Sequence, residues 1–146
     1  MTLLFSYGSN HPAQLKQRLG HAVETQAAFA QDYQRVFRGY SNGWGGGVAT
    51  IVPSRGFVTY GLVVEVTKSD LALMDRFEGV ASGNYKRVPI TVSVAGRPKK
   101  VVAYVSTSHV FHKPTHDYLK AVAKTIGTHW RNADGKSVTP KDITIQ

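Results

Sequence analysis

Cysteine is absent from this chain. That excludes disulfides, a thiolate nucleophile and cysteine ligation of a metal. Long hydrophobic runs are absent too: nothing approaches the roughly 20 apolar residues of a membrane span. The opening Met1-Thr2-Leu3-Leu4-Phe5-Ser6 has no basic stretch and is too short for a secretory leader. Neither a leader nor a membrane is expected, and a cytoplasmic location is the default. Acidic residues are scarce, 9 against 18 Lys and Arg, giving a net charge of +9. Such a surplus can mark a nucleic-acid binder. Yet the basic residues are scattered along the chain, and the densest cluster, Arg97 to Lys100, falls at a hairpin turn. No helix-turn-helix or aromatic-basic ribonucleoprotein pattern accompanies them. Nucleic acid is therefore not expected as a partner. The field suits attraction of a small anionic ligand.

What is present is enough chain for one core. The 146 residues, 42% hydrophobic, read as a single domain over 1–146. The polar tail from about residue 128 reads as less ordered. Leu3-Leu4-Phe5 is a first strand. Residues 22–39 alternate loosely, as two strands would. Gly47 to Val52 and Phe57 to Val66 are two more, divided by a turn at Pro53-Ser54-Arg55-Gly56. Val88, Ile90, Val92 and Val94 alternate with polar neighbours, and Gly96 turns the chain into Val101 to Val105. A helix opens at Pro114, with Tyr118, Leu119, Val122 and Ile126 on one side, and Gly127 closes it. Short, evenly spaced strands outnumber helices. The expected fold is α+β, a small mixed β-barrel with helices packed outside.

Three local patterns are set aside. Gly43-Trp44-Gly45-Gly46-Gly47 lacks the Lys-Ser/Thr of a phosphate loop and reads as a flexible loop, with a lid carrying Trp44 as the alternative. Gly135-Lys136-Ser137 resembles the end of a Walker motif, but the upstream glycine position holds Trp130. His109, His112 and His116 straddle a helix start and share no face, so no metal is expected.

Two other patterns carry chemistry. Tyr7-Gly8-Ser9-Asn10 follows the first strand directly, and Pro12, Leu15 and Leu19 behind it read as a short helix. A strand, a tight glycine turn and a helix start gather free backbone N–H groups into an anion site. The plainer reading is a turn whose Ser9 or Asn10 caps the helix. In the second pattern, Thr67 or Ser69 caps a helix with Asp70 in its first turn. Leu71, Met74 and Glu78 then fall at i, i+3 and i+7, so Glu78 continues an apolar stripe. Gly79 ends that helix. Burial and the negative end of the helix dipole both raise a carboxylate's pKa, as general acid/base work near neutrality requires. The alternative is a frayed last turn with Glu78 in water.

These segments, together with Tyr85-Lys86-Arg87-Val88 and Pro114-Thr115-His116-Asp117-Tyr118-Leu119, resemble the γ-glutamylcyclotransferase-like family in order and spacing. The resemblance runs from residue 3 to about 126. It departs at His11, where the family often has Met, and at Thr115, where it often has Ser. His11 is expected to alter the pocket rim. The resemblance implies release of 5-oxoproline from a γ-glutamyl compound, with no cofactor. The substrate's own α-amine attacks its γ-carbonyl and expels an amine. It implies Glu78 as the base, with Tyr7, Gly8, Ser9, Asn10, Tyr85 and Tyr118 binding substrate. For Tyr85 and Tyr118 the alternative is core packing with a satisfied O–H. The competing functional reading is a non-catalytic small-molecule binder on the same fold. Free γ-glutamyl amino acids, γ-glutamylamines and glutathione share the half these motifs would recognise. The leaving group and the oligomeric state therefore stay open.

Overall fold

The computed structural model describes residues 1–145. The elements run β1 (Thr2–Ser6), α1 (Pro12–Leu19), β2 (Thr25–Ser41), β3 (Gly46–Val66), α2 (Lys68–Phe77), β4 (Tyr85–Val94), β5 (Arg97–Ser106) and α3 (His116–Gly127). A single 3-10 turn follows at Pro140–Asp142. The strands close into a barrel in the order β1-β3-β2-β4-β5. The sheet is mixed because β1 meets β5 in parallel, at Leu4↔Val102, while the other pairings are antiparallel. This is the α+β mixed barrel that strand number and spacing predict.

Two expected pairs of strands are instead one long hairpin. Residues 22–39 contribute a single strand, β2, and 46–66 a single strand, β3. Their register slips between Gln31 and Tyr33 and again between Arg38 and Tyr40. The Pro53-Ser54-Arg55-Gly56 stretch does not reverse the chain. It bulges opposite Asp32, whose carboxylate accepts the Gly56 N–H at 2.9 Å. Proline and glycine weaken a ladder locally, so a bulge and a turn share one sequence signature. The β4–β5 hairpin turns tightly at Ala95-Gly96, as the sequence predicts.

Alternation along the strands separates two cores. Phe5, Ala28, Ala30, Ile51, Val63, Val92, Val94, Val101 and Ala103 come from all five strands and fill the barrel interior. Leu4, Leu62, Val64, Val66 and Tyr104 point the other way, where Leu15 and Leu19 of α1 and Leu71 and Met74 of α2 cover them. Tyr118, Leu119, Val122 and Ile126 of α3 belong to the interior cluster. Its N-cap is Thr115, whose Oγ1 accepts the Tyr118 N–H at 3.2 Å, so Pro114 lies just outside the helix. Gly127 is the last helical residue and keeps ordinary backbone angles, and Thr128 follows in right-handed conformation. The polar segment beyond is irregular, but it is tied down. The Trp130 indole N–H donates to the Gly61 carbonyl at 2.9 Å, and Ile143 is buried.

The segment between β5 and α3 lies across the tip of the long hairpin. The Gly39 N–H donates to the Val110 carbonyl at 3.0 Å, and the Gly47 N–H to the Lys113 carbonyl at 3.0 Å. Gly47 is needed for that approach: a Cβ there would sit 1.9 Å from the His112 carbonyl oxygen. Backbone cannot yield as a side-chain tip can. Gly47→Ala should therefore destabilise the fold by roughly 1–3 kcal/mol, measured by urea denaturation. An unchanged midpoint would mean that the segment lifts off the hairpin freely.

Candidate active site

A cavity of about 650 Å³ opens at one end of the barrel, between the turn after β1, the end of α2, the hairpin tip and the segment after β5. Its floor follows from local sequence. After β1 the chain turns through Tyr7-Gly8-Ser9-Asn10 into α1. The Ser6 hydroxyl donates to the Asn10 carbonyl at 2.8 Å, and the His11 N–H to the Ser9 carbonyl at 3.0 Å. The α1 cap is neither Ser9 nor Asn10. His11 fills that position, its Nδ1 accepting the Gln14 N–H at 3.3 Å. His11 is consequently committed to the helix and does not line the cavity. The side chains of Ser9 and Asn10 are left free for the site. Among the described residues, the backbone N–H groups of Gly8, Ser9 and Asn10 donate to no other backbone carbonyl.

Glu78 arrives from the opposite side. A capping box starts α2: the Thr67 hydroxyl accepts the Asp70 N–H at 3.0 Å, and the Asp70 carboxylate accepts the Thr67 N–H at 3.0 Å. Leu71 and Met74 are buried on the barrel, and Glu78 stands at the C-cap on the same stripe. Gly79 then leaves the helix at φ +67°, in the left-handed region where a side chain is strained. The Glu78 side chain is only 15% exposed. Its Oε1 accepts the Asn10 amide N–H at 2.9 Å, across 68 positions of sequence. Burial raises its pKa above the ordinary carboxylate value, opposed by the Asn10 amide and by Arg18.

Arg18 is not marked as a site residue by the sequence. Its NH1 donates to Asn10 Oδ1 at 2.9 Å and lies 3.9 Å from Glu78 Oε1, while its guanidinium sits 4.9 Å from the centroid of the Phe77 ring. The donor on Oδ1 fixes which end of the Asn10 amide faces Glu78. Spacing held a faint signal, since Arg18 is one α1 turn past Leu15 and Gln14, but only the α1–α2 contact brings it to Glu78.

The tyrosines meet at Ala49. Tyr118 Oη accepts the Ala49 N–H at 2.7 Å, and Tyr85 donates its hydroxyl to the Ala49 carbonyl at 2.9 Å. Both line the cavity. Tyr118 accepts there, which leaves its own O–H to donate; a Cβ at Gly8 would lie 3.4 Å from that oxygen. Tyr7 also borders the cavity, but its hydroxyl is spent on the Tyr104 carbonyl. Burial pushes the pKa of Tyr7, Tyr85, Tyr104 and Tyr118 upward, and the Glu78 charge adds to it in each case. All four remain neutral donors at neutral pH. Arg35, which no local pattern singles out either, braces the turn from behind. Its Nε donates to the Tyr7 carbonyl at 2.9 Å and its NH2 to the Tyr60 carbonyl at 2.6 Å, and burial lowers its pKa to about 10.

The glycine-rich stretch is a four-residue turn, Asn42 to Gly45, joining β2 to β3. Trp44 packs edge-on against Tyr118 with ring centroids 5.1 Å apart, and its carbonyl accepts the Thr115 hydroxyl at 3.3 Å. Among the described residues, no three His, Asp or Glu side chains are grouped to hold a metal, and no helix is long and apolar enough to cross a membrane.

The cavity thus brings one shielded carboxylate to a turn whose N–H groups, among the described residues, donate to no backbone carbonyl. That arrangement can move a proton beside a bound anion or developing oxyanion. Comparison with known proteins bears on the reaction. Residues 4–125 match the family model described as gamma-glutamyl cyclotransferase, AIG2-like. A human protein named gamma-glutamylcyclotransferase is 35% identical, the match covering 97% of this chain and 81% of the relative. A bovine protein of the same name is 34% identical, over 82% of this chain and 67% of the relative. A solved structure described as a gamma-glutamyl cyclotransferase superposes with a TM-score of 0.79 at 29% identity, covering 84% of this chain and 76% of that one. With the barrel, the turn and the family match in agreement, this chain belongs to the gamma-glutamyl cyclotransferase, AIG2-like family of enzymes.

Proposed function

We propose that the chain converts a γ-glutamyl amide into 5-oxoproline and a free amine, with Glu78 as the proton carrier. The observation that carries this reading is the Glu78 carboxylate, held by Asn10 beside the turn and, among the described residues, the only Asp or Glu lining the cavity. The substrate's α-ammonium has no lone pair, so a base must first take a proton from it. The freed nitrogen attacks the γ-carbonyl carbon, forming the ring C–N bond. The carbonyl oxygen becomes an oxyanion, which the N–H groups of Gly8, Ser9 and Asn10 can bind. Collapse breaks the C–N bond to the leaving group. Over the reaction the attacking nitrogen gives up two protons and the departing nitrogen gains two, so a carboxylate placed between them serves both transfers. Tyr118 and Tyr85 line the same cavity, and Arg18, among the described residues the only Lys or Arg lining it, is available to the α-carboxylate. Much of the rate then comes from holding a flexible chain curled on itself.

Glu78→Gln keeps shape and the Asn10 contact but removes the base. Its turnover, read as 5-oxoproline by mass spectrometry, should fall roughly 10²–10⁴-fold with substrate binding retained. A variant as active as the parent would remove Glu78 from the mechanism. The pH profile is a second check. The base must be ionised, and its folded pKa is raised. Activity should therefore be lost as pH falls, along a limb lying above the ordinary carboxylate range. Arg18→Met withdraws a cation that lowers this pKa, and should move the limb higher still. Stability runs the other way. A raised carboxylate pKa means that ionisation penalises the folded state. The penalty is absent below the unfolded value, about pH 4, and complete above the folded one. Thermal midpoints of Glu78→Gln should accordingly gain on the parent as pH rises from about 4 to about 8.

A further inference from the structure

Arg35 stands behind the site rather than in it. The β1–β3 ladder ends at Ser6↔Leu62, and the carbonyls of Tyr7 and Tyr60 lie just beyond that end. Both turn to Arg35, whose Nε donates to the Tyr7 carbonyl at 2.9 Å and whose NH2 donates to the Tyr60 carbonyl at 2.6 Å. A neutral donor would be enough to tie two neutral carbonyls together. A guanidinium here carries a charge out of water at a cost, and burial lowers its pKa to about 10. The ion pairs of the described residues join Arg18 to Glu78, His21 to Asp70 and Arg87 to Asp75, and Arg35 belongs to none of them. Its charge is therefore spent on peptide carbonyls and not on a carboxylate.

The Tyr7 carbonyl shares its peptide group with the Gly8 N–H. That peptide is trans, so the N–H points away from the carbonyl and from Arg35. Gly8 lines the cavity and Arg35 does not. Among the described residues, the Gly8 N–H donates to no backbone carbonyl. A cation bonded to a carbonyl draws electron density from the amide nitrogen, and hydrogen bonds in such a chain strengthen one another. We infer that Arg35 is a positioning residue whose charge acts through the Tyr7–Gly8 peptide, making the Gly8 N–H a stronger donor to the oxyanion that forms on the substrate's γ-carbonyl. The gain grows with the negative charge it meets, so it falls on the transition state more than on the bound substrate. Placing the cation behind the peptide also spares the base: the Glu78 pKa is lowered by Asn10 and Arg18, not by Arg35. The inference rests on the cyclotransferase reading of the same site.

The test uses the purified full chain and whichever of γ-glutamylalanine, γ-glutamylbenzylamine and glutathione the parent converts fastest to 5-oxoproline. Arg35→Lys keeps the charge and a donor, whereas Arg35→Gln keeps a donor without the charge. Arg35→Gln should lose roughly 10–100-fold in kcat with KM little changed, short of the roughly 10²–10³-fold that follows loss of an oxyanion donor itself. Arg35→Lys should keep most of the parent's kcat. A structural tie alone would lower thermal midpoints without separating kcat from KM. NMR reads the peptide directly. A cation on the Tyr7 carbonyl deshields the Gly8 amide nitrogen, so its resonance should lie downfield in the parent and in Arg35→Lys, and move upfield in Arg35→Gln. If Arg35→Gln does not fold, Arg35→Met replaces it in both measurements, and the parent's Gly8 resonance remains a reading that needs no variant. The inference is overturned if Arg35→Lys falls as far as the neutral variant. It is overturned equally if the loss appears in KM with kcat kept, or if the parent's Gly8 nitrogen resonates where an unbonded glycine's does. Those outcomes leave 5-oxoproline release by the parent, and with it the cyclotransferase reading, intact. No 5-oxoproline from any substrate would overturn that reading and the inference together.

Discussion

The site hangs on one hydrogen bond, from the Asn10 amide to the Glu78 carboxylate. It joins a turn after the first strand to the end of the second helix, and it gives a largely buried carboxyl group a partner. A carboxylate removed from water without partners would protonate and lose its charge. One with several strong donors would be too weak a base. Here one amide donor and one cation at 3.9 Å offset part of the burial. Burial outweighs both, and the pKa stays raised above the ordinary carboxylate value.

The barrel makes that contact possible. Leu4, Leu62, Val64 and Val66 offer α1 and α2 a shared apolar surface, so the two helices pack side by side and bring Arg18 to Glu78. The opposite face of the same strands fills the interior with small and branched side chains, and α3 completes it. Tyr118 reaches from that interior core to the cavity floor, where Ala49 ties it to Tyr85. Packing and site therefore share residues. Tyr7 shows the division of labour: its backbone forms the turn, while its ring and hydroxyl belong to the core.

The charge pattern has a similar economy. The chain is strongly basic, yet the described residues lining the cavity include one Arg and one Glu. The other Lys and Arg residues lie outside the cavity lining. Within it, burial outweighs the Asn10 amide and Arg18, so the Glu78 pKa stays above the ordinary carboxylate value.

Much of this was legible in the chain because it is local. The Tyr7-Gly8-Ser9-Asn10 turn, the stripe of Leu71, Met74 and Glu78, the stop at Gly79 and the tight hairpin at Gly96 follow from periodicity and backbone freedom within a few residues. The strand-rich, helix-poor pattern likewise determined a mixed barrel. The long β2–β3 hairpin was not legible, because Pro53 to Gly56 marks a bulge and a turn with the same residues, and only pairing with Asp32 separates them. His11 was misplaced for a related reason: capping depends on which side chain the turn aims at Gln14. Arg18 left only a faint trace in its spacing, and Arg35 left none. Their partners lie far along the chain, and proximity across such distances is fixed by strand register and helix packing rather than by any short-range preference. The sequence determined that a carboxylate would stand at the end of an apolar stripe and that a glycine turn would follow the first strand. Only the tertiary structure decided that they face one another across a single cavity, because that meeting is a property of barrel closure.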